Sequence, residues 1–251
     1  MLNSLDIKRR SEIEQLIRTK GNMSIEELAY EFNVSIKTIK KDLTSLEDNT
    51  INDKECCDIL ISSYLKRHFN DRLLENIDKK FKIAKKAVEM IPEKSVVILD
   101  SGTTVLQIAK LLNLKNNLVI VTSSLIVAEI LENSNNQLIV IGGELGKKSM
   151  SFVGHLANQA IESIHADIAF IGCDGFHADG PCSGSYKELD VKQRIIENSK
   201  KVILVTDSSK FSIDGLYRFA TFNKINHLIT DIDVKEEQLK LLSKNIQVWK
   251  V

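Results

Sequence analysis

The chain has 251 residues, of which 43% are hydrophobic and 27% are charged, a composition typical of a globular protein with one or two domains. Lysine and arginine together number 34, as do aspartate and glutamate, so any attraction to nucleic acid must come from a local patch. No apolar stretch reaches the roughly 18 residues of a membrane span, and the first residues lack the apolar core of a signal peptide. We therefore expect a cytoplasmic protein.

Residues 24–47 carry the pattern of two short helices joined by a tight turn. Leu28, Ala29 and Phe32 lie on one apolar face of the first helix. Asn33 tolerates the left-handed backbone that a sharp turn needs, and Ser35 can cap the second helix. This arrangement is typical of a helix-turn-helix, whose second helix enters the DNA major groove.

The second helix presents hydroxyl and lysine side chains on its outward face. Lysines can reach phosphates or guanine edges, and hydroxyl groups can contact phosphate or base. The predicted DNA-binding residues are Ser35, Lys37, Thr38, Lys40, Lys41 and Thr44. Lys8, Arg9 and Arg10, on a helix that comes before residues 24–47, could add phosphate contacts. The alternative is a plain amphipathic hairpin, since residues 1–48 carry eight Lys/Arg against nine Asp/Glu.

From about residue 95 onwards, short β-branched runs alternate with helical patterns, which predicts a mostly parallel α/β sheet with helices on both faces. The predicted strands are 96–99, 118–121, 138–141, 167–172, 202–205, 227–230 and 246–249. A helix over 81–91 ends at Pro92, whereas residues 49–80 show no clear period. We predict a helix-turn-helix domain over 1–50, a linker over 51–80 and an α/β domain over 81–251.

The stretch VVILDSGTT, residues 96–104, leaves a strand through small residues that offer hydrogen bonds. A helix over 105–112 follows, and its start exposes N–H groups and a partial positive charge that favour an anion. Gly102 lets the backbone approach closely, and ligands of parallel sheets settle at the carboxyl ends of strands. The sequence therefore predicts a phosphate site here, formed by Asp100, Ser101, Gly102, Thr103 and Thr104.

Small and polar residues also follow the other predicted strands, where a parallel sheet would gather them in one crevice. Lys210 can meet a phosphate charge, and Asp174 and Glu188 can accept the hydroxyl groups of a polyol. The further residues predicted for this crevice are Thr122, Ser123, Gly142, Gly143 and Gly175. Together these residues predict a pocket for a small phosphorylated, hydroxyl-rich molecule.

The chain shows no motif for a metal or a nucleotide cofactor. None of the four cysteines stands in a Cys-x-x-Cys pair, and adjacent Cys56 and Cys57 are poorly spaced for zinc. No Gly-x-x-x-x-Gly-Lys-Ser/Thr loop is present. We expect reduced thiols, no metal and no cofactor.

Both parts of the chain resemble one family, the DeoR-type bacterial transcriptional regulators. Residues 34–43, VSIKTIKKDL, are similar to its DNA-binding motif. Residues 81–250 are similar to its sensor domain through the ordered blocks LDSGTT, IVTSSL, IGGEL, FVG, ADIAFIGCDG, KELDVK, LVTDSSKF and LITD. The resemblance implies a winged helix-turn-helix joined to a domain related to ribose-5-phosphate isomerase and coenzyme A transferases.

The resemblance also implies a function. A DeoR-type regulator is expected to be a homo-oligomeric repressor of sugar-metabolism genes that binds double-stranded operator DNA and responds to a phosphorylated sugar. It further favours Glu188 and Lys192, which are one helical turn apart, as residues lining the sugar-phosphate pocket.

The sequence departs from the family pattern at three places. A Lys40–Lys41 pair replaces two arginines, which removes the guanidinium fork that reads guanine. Ser123 stands where the family has an asparagine. Residues 48–63, where the wing is expected, contain no glycine and little basic charge.

Two other functions remain open from the sequence. An aldose–ketose isomerase would use Glu188 or Asp174 as general base, with Lys210 or Lys192 holding charge. An effector-binding interaction module would retain the sensor domain with a decayed DNA-binding head, as the altered wing suggests.

Overall fold

The computed structural model describes residues 8–10, 12–13, 16, 25–39, 42, 72–240, 242 and 246–251. The chain divides into two compact units, Met1–His68 and Phe69–Val251. The boundary falls inside the predicted linker, whose residues 51–71 lie outside the described residues, as does the stretch expected to form the wing. Residues 72–74 are helical and belong to the second unit.

The first unit has the predicted helix and turn. Helix α1 spans Ile25–Glu31, Asn33 adopts a left-handed φ of 49°, and residues 36–39 are helical. Ser35 Oγ accepts a hydrogen bond from the Thr38 backbone N–H at 3.1 Å, which is the predicted cap. A small core forms beneath, made by Ile13, Leu28, Ala29 and Ile39 with Leu16, Phe32 and Val34 packed against it.

The second unit alternates strands and helices. Its described helices are α2 (Ile77–Glu89), α3 (Thr103–Leu112), α4 (Leu125–Leu131), α5 (His155–Glu162), α6 (Tyr186–Glu197) and α7 (Glu236–Leu239), with 3-10 turns at Ser208–Ser212 and Phe222–Lys224. Its strands are β1 (Val96–Leu99), β2 (Val119–Thr122), β3 (Gln137–Val140), β4 (Glu144–Gly146), β5 (Ser151–Val153), β6 (Ile168–Ile171), β7 (Gly175–His177), β8 (Gly180–Ser183), β9 (Val202–Val205), β10 (Tyr217–Arg218), β11 (His227–Thr230) and β12 (Gln247–Lys250).

Seven strands form one parallel sheet in the order β12-β11-β9-β6-β1-β2-β3. Each corresponds to one of the seven predicted runs within a residue or two, so the predicted α/β class is confirmed. Successive residues of a strand face opposite sides, and Val97 and Leu99 pack in one core while Ile98 packs in the other. Burial on both faces explains why the central strands β1, β6 and β9 are continuously apolar.

Two small antiparallel sheets were not predicted. One has the order β10-β8-β7 and the other pairs β4 with β5. Their strands have two to four residues, too few to show a hydrophobic period.

The described helices are short. The longest, α2, has 13 residues, and none of the helices in the described part of the chain has the length and hydrophobicity that crossing a bilayer requires.

Candidate functional site

A cavity lies at the carboxyl ends of three neighbouring strands, β1, β6 and β9, within the second unit. Its empty volume is about 700 Å³ including the opening to solvent. The chain crosses from β1 to β2 on one side and later returns to β6 on the other, so the cavity lies at the topological switch point, where ligands of parallel sheets bind. The lining residues are Arg72, Lys80, Ser101, Gly102, Thr103, Thr104, Val105, Lys148, Ser149, Gly172, Cys173, Asp174, Gly184, Ser185, Glu188, Lys192, Val205, Thr206 and Lys210.

The turn from β1 into α3 leaves the start of this helix open to the cavity. Gly102 has φ 132° and ψ 154°, and no side chain of the described residues caps the helix. A positive φ is accessible to glycine and strained for other residues. Uncapped N–H groups at a helix start attract an anion, and the hydroxyl groups of Ser101, Thr103 and Thr104 lie at the same place.

Below the turn lies a buried ion pair between Asp100 and Lys192. Their side chains are 2% and 4% exposed, and Lys192 Nζ donates to Asp100 Oδ2 and, at 3.0 Å, to the Gly172 carbonyl oxygen. The Gly172 N–H also donates to Asp100 Oδ2 at 3.1 Å. Burial disfavours the charged ammonium, but attraction to Asp100 and Glu188 outweighs it and raises the pKa of Lys192. The pair thus connects α6 to the ends of β1 and β6.

Two further carboxylates face the cavity in different environments. Asp174 accepts hydrogen bonds from the Gly184 N–H at 2.8 Å and from Arg72 at 3.3 Å; burial opposes its ionisation, but these donors and Lys192 hold its pKa below the usual range. Glu188 accepts from Ser183 Oγ at 3.2 Å. Its burial, together with repulsion from Asp174, outweighs the attraction of Lys192 and raises its pKa.

The raised pKa of Glu188 makes stability depend on pH. Because the folded state holds this proton more tightly than the unfolded state, stability falls as pH rises through the ordinary glutamate pKa towards the folded value. We expect Glu188→Gln to stabilise the protein near neutral pH and to have less effect at about pH 4, measured by urea unfolding across this range. Equal effects at both pH values would contradict the assignment. Glu162→Gln is the control, because the Glu162 side chain is 49% exposed and pairs with the exposed side chain of Arg194.

Positive charge exceeds negative charge around the cavity. Five cations line it, namely Arg72, Lys80, Lys148, Lys192 and Lys210, against the two carboxylates Asp174 and Glu188. Lys80 is only 2% exposed. Burial lowers its pKa, and repulsion by Lys210 and Arg72 lowers it further, against the attraction of Asp207. An anionic ligand would reduce this repulsion.

Cys173 lies in the cavity as a thiol rather than a thiolate. Burial raises its pKa to about 12, and its Sγ lies 3.6 Å from Thr206 Oγ1. A protonated thiol is a poor nucleophile. Within the described ranges, no group of three or more His, Cys, Asp or Glu side chains is placed to hold a metal ion.

Residues 75–232 match the family model of the DeoR C terminal sensor domain, and residues 9–54 match that of the DeoR-like helix-turn-helix domain. The chain belongs to the DeoR family. It is 32% identical over 244 residues to a putative aga operon transcriptional repressor of Escherichia coli O157:H7, covering 94% of this chain and 90% of that protein. It is 33% identical over 227 residues to the glycerol-3-phosphate regulon repressor of Escherichia coli strain K12, covering 89% and 90%.

Ribose 5-phosphate isomerase A of Methanocaldococcus jannaschii is similar to this DeoR-family chain with a TM-score of 0.40. The identity is 18%, over 54% of this chain and 55% of the isomerase. A similarity at this level has no bearing on activity.

The structure of the DeoR-family chain brings eight of the predicted effector-binding residues together. They are Ser101, Gly102, Thr103, Thr104, Asp174, Glu188, Lys192 and Lys210. Asp100 does not line the cavity but holds Lys192 from below.

Five other predicted residues do not line this cavity. Four of them lie at the ends of β2 and β3, which are towards the edge of the sheet. Thr122 Oγ1 accepts from the Ser124 N–H at 3.0 Å, and the Ser123 carbonyl oxygen accepts from the Phe152 N–H at 2.7 Å. Gly143 has φ 154°, and a Cβ there would lie 2.7 Å from the Val153 carbonyl oxygen. A Cβ added at Gly142, which precedes it, would have no neighbouring heavy atom within 4 Å.

Gly175 is the fifth of these residues. A Cβ at this position would lie 2.4 Å from the Ile213 carbonyl oxygen, so close backbone packing accounts for the glycine.

Several cavity residues were missed from the sequence. Cys173 and Thr206 directly follow predicted strands, and Gly172 is the last residue of one, so their position was a usable signal. Arg72 and Lys80 lie in the segment without a period, and Lys148 and Ser149 lie in the loop between β4 and β5; nothing in the sequence marked these four.

In the helix-turn-helix unit, Lys37 is exposed and Thr38 is half-buried. Ser35 Oγ lies 2.8 Å from Thr38 Oγ1, so both hydroxyl groups take part in the helix cap. The other predicted DNA-binding residues, Lys40, Lys41 and Thr44, lie outside the described residues.

The suggestion that Arg9 and Arg10 contact phosphate needs correction. Arg9 Nε donates to Asp42 Oδ2 at 2.6 Å and Arg10 Nε donates to Asp42 Oδ1 at 3.0 Å. Arg10 and Asp42 are buried, so this cluster holds the unit together. Lys8 is exposed and lies 3.9 Å from Glu12.

Proposed function

We propose that this DeoR-family regulator represses genes of sugar metabolism and that a phosphorylated sugar, bound in the cavity of the second unit, controls it. The observation that carries this proposal is the uncapped start of α3, which opens into a cavity with more positive than negative charge. The phosphate would accept hydrogen bonds from the turn Ser101–Thr104, and the charges of Lys80 and Lys210 would balance it.

The carboxylates on the other side of the cavity suit a ligand with hydroxyl groups. Asp174 accepts hydrogen bonds when ionised, and Glu188 can also donate when protonated. A relative named for glycerol 3-phosphate, a phosphorylated polyol, supports this class of ligand. Thr122, Ser123, Gly142, Gly143 and Gly175 would then support the fold around the site rather than contact the ligand.

On the DNA side, the helix that begins after Ser35 would enter the major groove, with Lys37, Thr38, Lys40, Lys41 and Thr44 on its outer face. A homo-oligomer would place two such helices in successive grooves of operator DNA. The sugar phosphate regulates only if it binds one arrangement of the oligomer better than another.

The second candidate is a sugar-phosphate isomerase, because Asp174, Glu188, Lys192 and Lys210 share one cavity. We propose that the protein is a sensor and not an enzyme, because its relatives are named as regulators. The sensor and isomerase functions can be separated by incubating the full chain with a panel of sugar phosphates. Thermal stabilisation and turnover are followed together. A sensor is stabilised and leaves its ligand unchanged, whereas an isomerase converts it.

Thr103→Val tests the assignment of the phosphate turn. Losing one hydroxyl donor to a dianion should weaken binding of the stabilising sugar phosphate by about tenfold or more, measured by calorimetry. The effect of the sugar phosphate on DNA binding should appear at a correspondingly higher sugar-phosphate concentration. This effect is measured by fluorescence anisotropy with DNA from upstream of the gene. Thr221→Val, which removes a hydroxyl group outside the cavity, is the control. An unchanged response in Thr103→Val would refute the turn as the phosphate site.

A further inference from the structure

Arg72 joins the cavity to the place where the chain enters the second unit. It is the first described residue of this unit, which begins at Phe69. Its guanidinium lines the cavity and donates to Asp174 Oδ1 at 3.3 Å. Its carbonyl oxygen accepts a hydrogen bond from the buried Lys80 Nζ. Both the side chain and the backbone of Arg72 therefore contact cavity residues.

The residues that follow Arg72 are attached to a second wall of the cavity. Asn76 Nδ2 donates to Asp207 Oδ1 at 3.1 Å, and Lys79 Nζ donates to Ser208 Oγ at 3.1 Å. Asp207 and Ser208 lie between Thr206 and Lys210, which line the cavity. Residues 72–80 thus contact Asp174 on one wall of the cavity and residues 206–210 on another. A ligand that bridges these two walls would fix the position of residues 72–80.

The contact between Arg72 and Asp174 is one that an anionic ligand can replace. It is a long, partly exposed ion pair, with the Arg72 side chain 30% and the Asp174 side chain 41% exposed, and exposed pairs stabilise little. A phosphate dianion offers the guanidinium two parallel hydrogen bonds. It would also reduce the repulsion among Arg72, Lys80 and Lys210.

We propose that Arg72 is a phosphate-binding residue that exchanges Asp174 for the bound phosphate group and so transmits cavity occupancy to residues 72–80. These residues connect the second unit to the chain that leads back to the DNA-binding unit. The inference rests on the proposed function, because it requires a phosphorylated ligand in this cavity. It adds Arg72 as a ligand contact and links the cavity to residues 72–80, which the turn Ser101–Thr104 alone does not do.

Hydrogen exchange of the full chain at saturating inorganic phosphate, with chloride at the same ionic strength as reference, tests the inference. In the natural chain, phosphate should slow exchange both at residues 101–106 and at residues 72–80. In Arg72→Ala, phosphate should bind about tenfold more weakly and, once saturating, should slow exchange at 101–106 only. Lys82→Ala, which removes an exposed charge of α2 outside the cavity, should behave as the natural chain.

The outcomes separate this inference from the proposed function. No slowing at 101–106 in the natural chain, with phosphate or any sugar phosphate of the panel, would refute both. Slowing at 72–80 that persists in Arg72→Ala would overturn the inference alone. If Arg72→Ala binds no phosphate, Arg72→Lys decides: binding restored by the retained charge supports a ligand contact, and binding still absent, with thermal stability reduced, shows a purely structural residue.

Discussion

Replacing Lys192 by methionine is expected to lower the free energy of unfolding by about 3–5 kcal/mol, because it leaves the Asp100 carboxylate buried without its cation. The side chains of the pair are 2% and 4% exposed, so water cannot replace the missing charge. The measurement is urea unfolding followed by the fluorescence of Trp249, the single tryptophan, which lies on β12 of the same unit.

The chain offers a matched control for this prediction. Lys200 also pairs with an aspartate, Asp167 at 2.8 Å, but its side chain is 76% exposed. Lys200→Met should therefore cost less than about 1 kcal/mol. If the two methionine variants lose similar stability, the buried Asp100–Lys192 pair does not stabilise the second unit more than an exposed ion pair does. The double variant Asp100→Leu/Lys192→Met should recover part of the loss, since it removes both buried charges.

The central strands of the main sheet were predictable because burial on both faces requires a short, continuous run of apolar and mostly β-branched residues. The order of the strands in the sheet was not predictable, because an alternation of strands and helices is compatible with many strand orders in a parallel sheet. The order decides which strand ends meet: β1, β6 and β9 are neighbours, whereas β2 and β3 lead to the edge. Thr122 and Gly143 satisfied the same sequence rule as Thr103 and yet do not line the cavity.

The positively charged residues of the cavity could not be predicted from the sequence for a different reason. Arg72 and Lys80 precede the first strand by more than a dozen residues and lie in a segment without a period, so their proximity to Asp174 and Lys210 follows only from the tertiary fold. Local rules predicted the open helix start at Ser101–Thr104, because a helix start is a local feature. The charges that surround that turn come from distant parts of the chain and needed the structure.

Asp42→Asn is expected to destabilise the helix-turn-helix unit by about 3 kcal/mol, because Arg9 and Arg10 lose the carboxylate between them. The Asp42 side chain is 2% exposed. Burial opposes its ionisation, but the hydrogen bonds from Arg9 and Arg10 outweigh this and lower its pKa. The stabilisation is therefore complete above the ordinary aspartate pKa of about 3.9 and is lost as pH falls through the lower folded value.

Hydrogen exchange of the α1 amides, residues 25–31, measures this effect in the first unit alone. Exchange should be faster in Asp42→Asn than in the natural chain at neutral pH, and the difference should shrink under strongly acidic conditions. Glu12→Gln, which breaks the exposed Lys8–Glu12 pair, should change exchange little. Binding to upstream DNA should weaken in parallel with α1 protection. The reason is that Ile39, on the second helix, packs in the same core as Leu28 and Ala29 of α1. Full α1 protection in Asp42→Asn would show that the cluster of Arg9, Arg10 and Asp42 does not stabilise the unit, and both arginines would again be candidates for DNA contacts.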